Sequence, residues 1–174
     1  MNVGVAILGG IIGGTAMIAV LYMMIWLMPK EMKMNLLLML GTMMVPVGAI
    51  AYLVGLMMHA MMSVLFGVAH GALLASVDVD SAAAGVGLGV LFGFGHALVT
   101  GAMLGVMPLM HPRMRPLQPK LVPAMLGPVP VLEEEALDPP GFFALNYPPL
   151  TVMGFFMMHI MFGIVVGVIY GAFA

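Results

Sequence analysis

From Leu36 to Ala75 the chain runs for 40 residues without one Asp, Glu, Lys or Arg. A water-soluble domain has no room to bury so long an uncharged run, so it reads as embedded in a membrane. A straight crossing takes about 20 apolar residues, so the run is too long for one span. Gly41 and Pro46 mark where it divides. The expected arrangement is an interfacial or kinked segment over Leu36–Ala49, then a span over about 50–75. A single helix bent at Pro46 is the alternative, because proline removes a helical hydrogen bond and clashes with the preceding turn. The rest of the chain agrees in character: only 7% of residues are charged, 63% are hydrophobic, and the mean hydropathy is +1.19. A soluble domain carries roughly a quarter charged residues.

Three further apolar stretches follow, over about 3–28, 85–110 and 150–170. Trp26 lies near the end of the first, where an interfacial aromatic belongs, and Pro29 stops it. No basic residues precede this stretch and no small-residue cleavage site comes before Trp26. It is therefore expected to be a retained helix and not a signal peptide. Pro148 and Pro149 suit the start of the fourth span. SVDVDSAAA (Ser76–Ala84) is the only polar connection between the second and third spans. Residues 111–149 hold most of the prolines and three of the five basic residues. They read as an irregular extramembrane loop, polyproline-like in part. A loop of that length is either functional or a plain surface connector. All five Lys and Arg lie in the connections after the first and third spans. The positive-inside rule then makes those two connections cytoplasmic and puts both termini outside.

The stretch MMHAMMSVLFGVAHGA (Met57–Ala72) returns as MMHIMFGIVVGVIYGA (Met157–Ala172), with eight of sixteen positions identical. Chance agreement in so biased a composition is about one position in ten, so this reads as an internal repeat. The other two spans echo it weakly: Met28-Pro29 and Met107-Pro108 end them, and Gly10, Gly14 and Met24 align with Gly89, Gly93 and Met103. The expectation is an all-α, polytopic membrane protein in one domain, residues 1–174. Its four transmembrane helices form two tandem helical hairpins with pseudo-two-fold symmetry about the membrane normal. Small residues recur every fourth position at Gly85, Gly89, Gly93, Ala97, Gly101 and Gly105, at Ser63, Gly67, Gly71 and Ala75, and at Gly163, Gly167 and Gly171. Such stripes let helix backbones approach closely in lipid. Stepping back by four from Ser63 and Gly163 gives His59 and His159, so both histidines belong on or near a packing face. The run GVGLGVLFGFG mimics a dinucleotide fingerprint, but no strand precedes it, so that reading is rejected.

An ionisable residue at membrane depth is a functional hypothesis by default. His59 and His159 each lie about nine residues into their spans, some 13 Å at 1.5 Å per residue. His96 lies at similar depth and His70 on roughly the same face as His59. Three chemistries fit. His59 and His159, with His96 and His70 near, could bind a cofactor, haem b, as axial ligands. His59 and His159 with Met58, Met62, Met158 and Met161 could hold Cu(I), since imidazole and thioether suit that ion. Or the rings could be interhelical hydrogen-bond partners of backbone carbonyls, Ser63, Thr100 or Thr151. With 23 methionines in the chain, flexible packing explains most of them. No charged residue lies within a span, which argues against a proton-coupled carrier or a charged-ring channel. No nucleophile–base pair sits at depth, which argues against hydrolysis. Without cysteine there is no disulfide or thiolate site, and five basic residues make no nucleic-acid surface.

The pieces GGTAMIAVLYMM, MPKEMKMNLLLMLG, GLMMHAMMSVLFGVAHGALL, FGFGHALVTGAMLGVMPLMHP and GFFMMHIMFGIVVGVIYG resemble a group of small four-helix bacterial membrane proteins without an established activity. The resemblance covers most of the chain outside the proline-rich loop. It implies a fold and a membrane location and carries over no functional residue. The functional expectation is a non-enzymatic structural or accessory component in a bacterial cytoplasmic membrane. Its partners would be the lipid bilayer and either other membrane subunits or itself, with no nucleic acid. The alternative is an intramembrane haem or copper binder.

Overall fold

A computed structural model describes residues 1–114 and 137–174. The middle of the proline-rich connection, and with it the polyproline-like reading, lies outside the described residues. The helices are α1 (Val3–Leu27), α2 (Leu36–Gly41), α3 (Ala49–Ser76), α4 (Ala82–Val106) and α5 (Pro149–Phe173). Among the described residues there is no strand beyond an isolated bridge between Met114 and Leu137. α1, α3, α4 and α5 are each long and apolar enough to cross a membrane, and none contains a charged residue. Lipid offers no hydrogen bonds, so a spanning segment must satisfy its backbone internally, as a helix does.

Local residues explain where the helices begin. The Asn2, Asn35 and Ser81 side chains accept from the Val5, Leu38 and Ala84 amides at 3.3, 3.2 and 3.3 Å, which caps α1, α2 and α4. Pro149 opens α5, where its missing N–H is not needed. Gly48 stands before α3 with φ 155° and ψ −175°, a conformation essentially confined to glycine. The long uncharged run is thus a short helix, a turn and a span, and not one helix bent at Pro46. α2 folds back onto the first turns of α3. A Cβ on Gly41 would strike the Ala51 carbonyl, and one on Gly55 the Leu37 carbonyl.

The glycine stripes set the packing. α1 carries two, one residue apart. Gly9 and Gly13 face Val166 and Phe162 of α5, while Gly10 and Gly14 face Ser63, Gly67 and His59 of α3. α4 packs on α5 over the most extensive interface in the bundle, with Gly85 against Gly167, Gly89 against Gly163 and Gly93 against His159 and Ile160. Below that level α5 no longer covers the stripe. Phe143 sits on Gly101 and Phe142 on Gly105, held there by a turn in which Phe143 and Ala144 take φ 55° and 62°. The contacts between α1 and α5 are as extensive as those between α1 and α3, whereas α3 and α4 meet only marginally. A strict two-fold axis would make the α1–α5 and α3–α4 contacts equal, so the bundle is closed on one side and parted on the other.

The connections after α1 and α4 cover the same end of the bundle. Thr151 donates to the Glu31 carbonyl at 2.6 Å and accepts from the Lys33 amide at 3.0 Å. Arg113 Nη1 donates to the Thr42 carbonyl at 2.7 Å. The His111 ring is buried between these strands of chain. Its Nε2–H donates to the Met39 carbonyl at 2.9 Å, and its Nδ1 accepts from the Arg113 amide at 3.1 Å. Burial, followed by the nearby Arg113 charge, pushes its pKa below the ordinary 6.5, against the opposing bond to Met39.

Candidate functional site

Under that cover, between the parted helices, lies a cavity of about 160 Å³. His59, His96 and His159 all reach its wall, as do Ser63, Thr100 and Thr151. Eight methionines line the rest with Leu and Phe: Met17, Met32, Met34, Met39, Met62, Met103, Met107 and Met158. α3 contributes His59, Met62, Ser63 and Phe66, α4 His96, Thr100 and Met103 with Met107 just past its end, and α5 Phe155, His159 and Phe162. Spacings of three and four place each set on one helix face.

The hydrogen bonds fix ring states. A carbonyl only accepts, so the ring nitrogen facing it carries the proton. His159 Nδ1–H donates to the Phe155 carbonyl at 2.7 Å, leaving Nε2 as an acceptor 3.1 Å from the Thr100 hydroxyl, whose single proton it shares with the His96 carbonyl at 2.9 Å. His59 Nε2–H donates to the Gly14 carbonyl of α1 at 3.0 Å, leaving Nδ1 bare. His70 Nδ1–H donates to the Phe66 carbonyl at 2.8 Å. Such a bond to a carbonyl from one ring nitrogen is what normally orients a metal-ligating histidine. It also ties helices together, as the hydrogen-bonding reading expects. Ser63 donates to the His59 carbonyl at 2.7 Å and so does not pair with a ring.

The four sequence-singled histidines do not act as one set. His159, His96 and His70 form a row of rings, with centroids 4.8 and 5.3 Å apart. Phe66 stacks on His96 at 3.9 Å. His59 stands apart, tied to α1, and His70 touches the row without reaching the cavity wall. Of the four candidate methionines, Met62 and Met158 line the cavity, but Met58 and Met161 do not. Met58 is one residue from His59 and Met161 two from His159, about 100° and 200° around a helix. Met161 packs at the edge of the apolar core, and Met57, Met61 and Met157 are exposed on the outside of the bundle. Sequence reasoning missed Met17, Met32, Met34, Met39, Met103 and Met107. The 96, 100, 103, 107 spacing along α4 and into the turn that follows it was a usable signal for two of them. Met32, Met34 and Met39 belong to or flank a connection, where periodicity carries no information.

Among the described residues, no three His, Asp or Glu side chains converge as a ready cation cage. The space is about 160 Å³, close to a cavity that accepts one benzene, and a porphyrin is several times larger, so the gap between these helices as it stands does not match a haem. No protein-family model matches the chain, and no curated protein or solved structure matches it either. The chemistry of the cavity wall therefore has to carry the functional reading.

Proposed function

We propose that this chain is a non-enzymatic integral membrane protein that binds a soft monovalent metal ion of the Cu(I) class inside its bundle. His59 and His159 supply nitrogen, and the cavity methionines supply thioether sulfur. The observation that carries the reading is the collection of three imidazoles and eight thioethers around one cavity of about 160 Å³. Thioether and imidazole select Cu(I), whereas Mg²⁺, Ca²⁺ and Mn²⁺ want carboxylate and water, and no carboxylate lies within the four spans. A monovalent ion held by neutral donors also brings the least charge into an apolar interior. The bundle sits in a bacterial cytoplasmic membrane with the Lys- and Arg-bearing connections inside, so the methionine-rich end of the cavity faces the cytoplasm.

The test is metal retention. Purified protein in detergent is loaded anaerobically with Cu(I) or with Ag(I), desalted and analysed for metal. The wild type is expected to retain at least one ion per chain at the cavity. His59→Ala combined with His159→Ala is expected to weaken that ion's retention at least tenfold, the lower bound seen when supporting groups of a metal site are lost. Retention no higher than the detergent blank, or unchanged in the double variant, would remove the proposal.

A further inference from the structure

The cover over the cavity has a firmly packed half and a lightly held half. α2 is the firm half. Its backbone lies so close to α3 that a Cβ on Gly41 would strike Ala51 and one on Gly55 would strike Leu37. Arg113 ties its end through the Thr42 carbonyl. The other half is the chain that leads into α2. Its side chains alternate, as along an extended chain: Glu31 and Lys33 are exposed, whereas Met32 and Met34 are 3% and 7% exposed and line the cavity. Both ends of this strap are anchored. The Glu31 and Met32 amides donate to the Met28 carbonyl, and Asn35 is held by Tyr22 and Tyr52. Between the anchors one side chain holds the strap down. Thr151 Oγ1 donates to the Glu31 carbonyl and accepts from the Lys33 amide. Among the described residues, these are the only hydrogen bonds that tie residues 31–34 to a helix other than α1.

We propose that residues 31–34 are a hinged strap that gates the cavity, with Thr151 as its latch, and that the soft cation enters and leaves past Met32 and Met34. The identity of the ion rests on the soft-metal reading of the cavity. A cation does not approach through lipid, where charge is costly, and on the side where α3 and α4 part the Phe66 ring lies stacked on His96. The strap is the water-facing route. Lys30, Glu31 and Lys33 are exposed, and thioethers begin directly beneath them. Gly154, three residues after Thr151 on α5, gives the Met32 side chain its seat: a Cβ there would stand 3.1 Å from Met32 Cε and 3.5 Å from its sulfur. Lifting the strap withdraws Met32 from that seat and breaks the two Thr151 bonds, and it unwinds no helix.

The chain contains no cysteine, so Met32→Cys supplies a single thiol beneath the strap. Its reaction with a water-soluble maleimide, in the metal-free full-length protein in detergent, reports opening. Adding Thr151→Val, which keeps the volume and removes both bonds, is expected to speed that reaction at least about tenfold, equivalent to about 1.4 kcal/mol of lost latch. Adding Thr151→Ser instead, which keeps the hydroxyl, is expected to leave the rate near its parent value. Leu74→Cys places a single thiol at a fully buried position near the other end of α3, and it is expected to stay unreactive with or without Thr151→Val. With all methionines in place, Thr151→Val is expected to raise the rates of Ag(I) uptake and release together and to leave the amount retained unchanged. No acceleration at Met32→Cys, equal acceleration at Leu74→Cys, or Ag(I) exchange unmoved by the opened strap would each refute the gate and leave the soft-metal reading standing. If the thiols behave as expected while the wild type retains no Ag(I), the strap is still a lid on the cavity and the soft-metal reading alone falls.

Discussion

Gly93 sets the separation of α4 and α5 at the level of the histidine row, so a single methyl there tests the packing and the site together. A Cβ on Gly93 would lie 2.6 Å from the His159 carbonyl oxygen and 2.8 Å from Ile160 Cα, both backbone atoms that cannot rotate away. Ordinary carbon contacts are about 3.5–4.0 Å, so Gly93→Ala forces the helices apart by about 1 Å. The 3.1 Å contact between Thr100 Oγ1 and His159 Nε2 then exceeds hydrogen-bonding range. Losing an interhelical bond in lipid costs about 1 kcal/mol, and forced overpacking about 1–3 kcal/mol. Together these give about 2–4 kcal/mol, roughly a 30- to 700-fold shift in the folding equilibrium at 1.4 kcal/mol per tenfold. Gly95, two residues away on the same helix, has nothing within 4 Å of the corresponding position. Gly95→Ala is expected to be neutral or to stabilise by up to about 1 kcal/mol, the helix-propensity difference between glycine and alanine. Unfolding by SDS in mixed micelles, followed by far-UV circular dichroism, compares the three proteins under one condition. Equal losses in the two variants, or a larger loss in Gly95→Ala, would refute the glycine-contact account of the bundle.

Two further outcomes follow from the covered end. The folded-state pKa of His111 is held below 6.5, by burial first. The unfolded chain therefore takes up the proton first as pH falls. The stability due to neutral His111 is complete above pH 6.5 and is lost as the pH drops below that value toward the folded pKa. Thermal unfolding measured from pH 7.5 to 5.5 should show a steeper decline in the wild type than in His111→Gln, and identical slopes would count against the assignment. Asn35 joins α1, α2 and α3: its Oδ1 accepts from Tyr22 at 2.6 Å and from the Leu38 amide at 3.2 Å, and its Nδ2 donates to Tyr52 at 2.8 Å. Asn35→Ala should cost about 2–3 kcal/mol, combining a lost cap with two side-chain bonds. Hydrogen exchange should quicken at α2 amides and leave α4 and α5 unchanged; a uniform rise would show that Asn35 does not act locally.

The parts of this architecture legible in the sequence are those written into one helix at a time. Four apolar stretches announced four helices, and the fourfold recurrence from Gly85 to Gly105 announced the buried face of α4. Stepping back from Ser63 and Gly163 placed His59 and His159 toward the interior, where both meet the cavity. What depends on the register between helices was not legible. The meeting of His70 with His96 needs α3 and α4 at a particular relative height, which no spacing within either helix encodes. The cover on Gly101 and Gly105 comes from Phe142 and Phe143, in an irregular turn with no period to read. Met32, Met34 and Met39 reach the cavity only because their connection folds back beneath it. The stretch with the strongest motif, the paired MMH, misled in detail: of its candidate methionines Met158 lines the cavity and Met58 does not.

The unequal contacts of the four spans bear on how the protein is made. α1 and α3 have each other as soon as both have left the ribosome. α4 has almost no surface in common with α3 and none of note with α1; its glycine face is complementary to α5, which is synthesised after it. During biogenesis, therefore, α4 stands in the bilayer as an unpaired helix displaying a bare small-residue face, until α5 inserts and engages α4 and α1 in one step. Membrane chaperones and proteases that recognise unpaired helices have their opportunity in that interval. The cavity acquires its third histidine only when the interval ends.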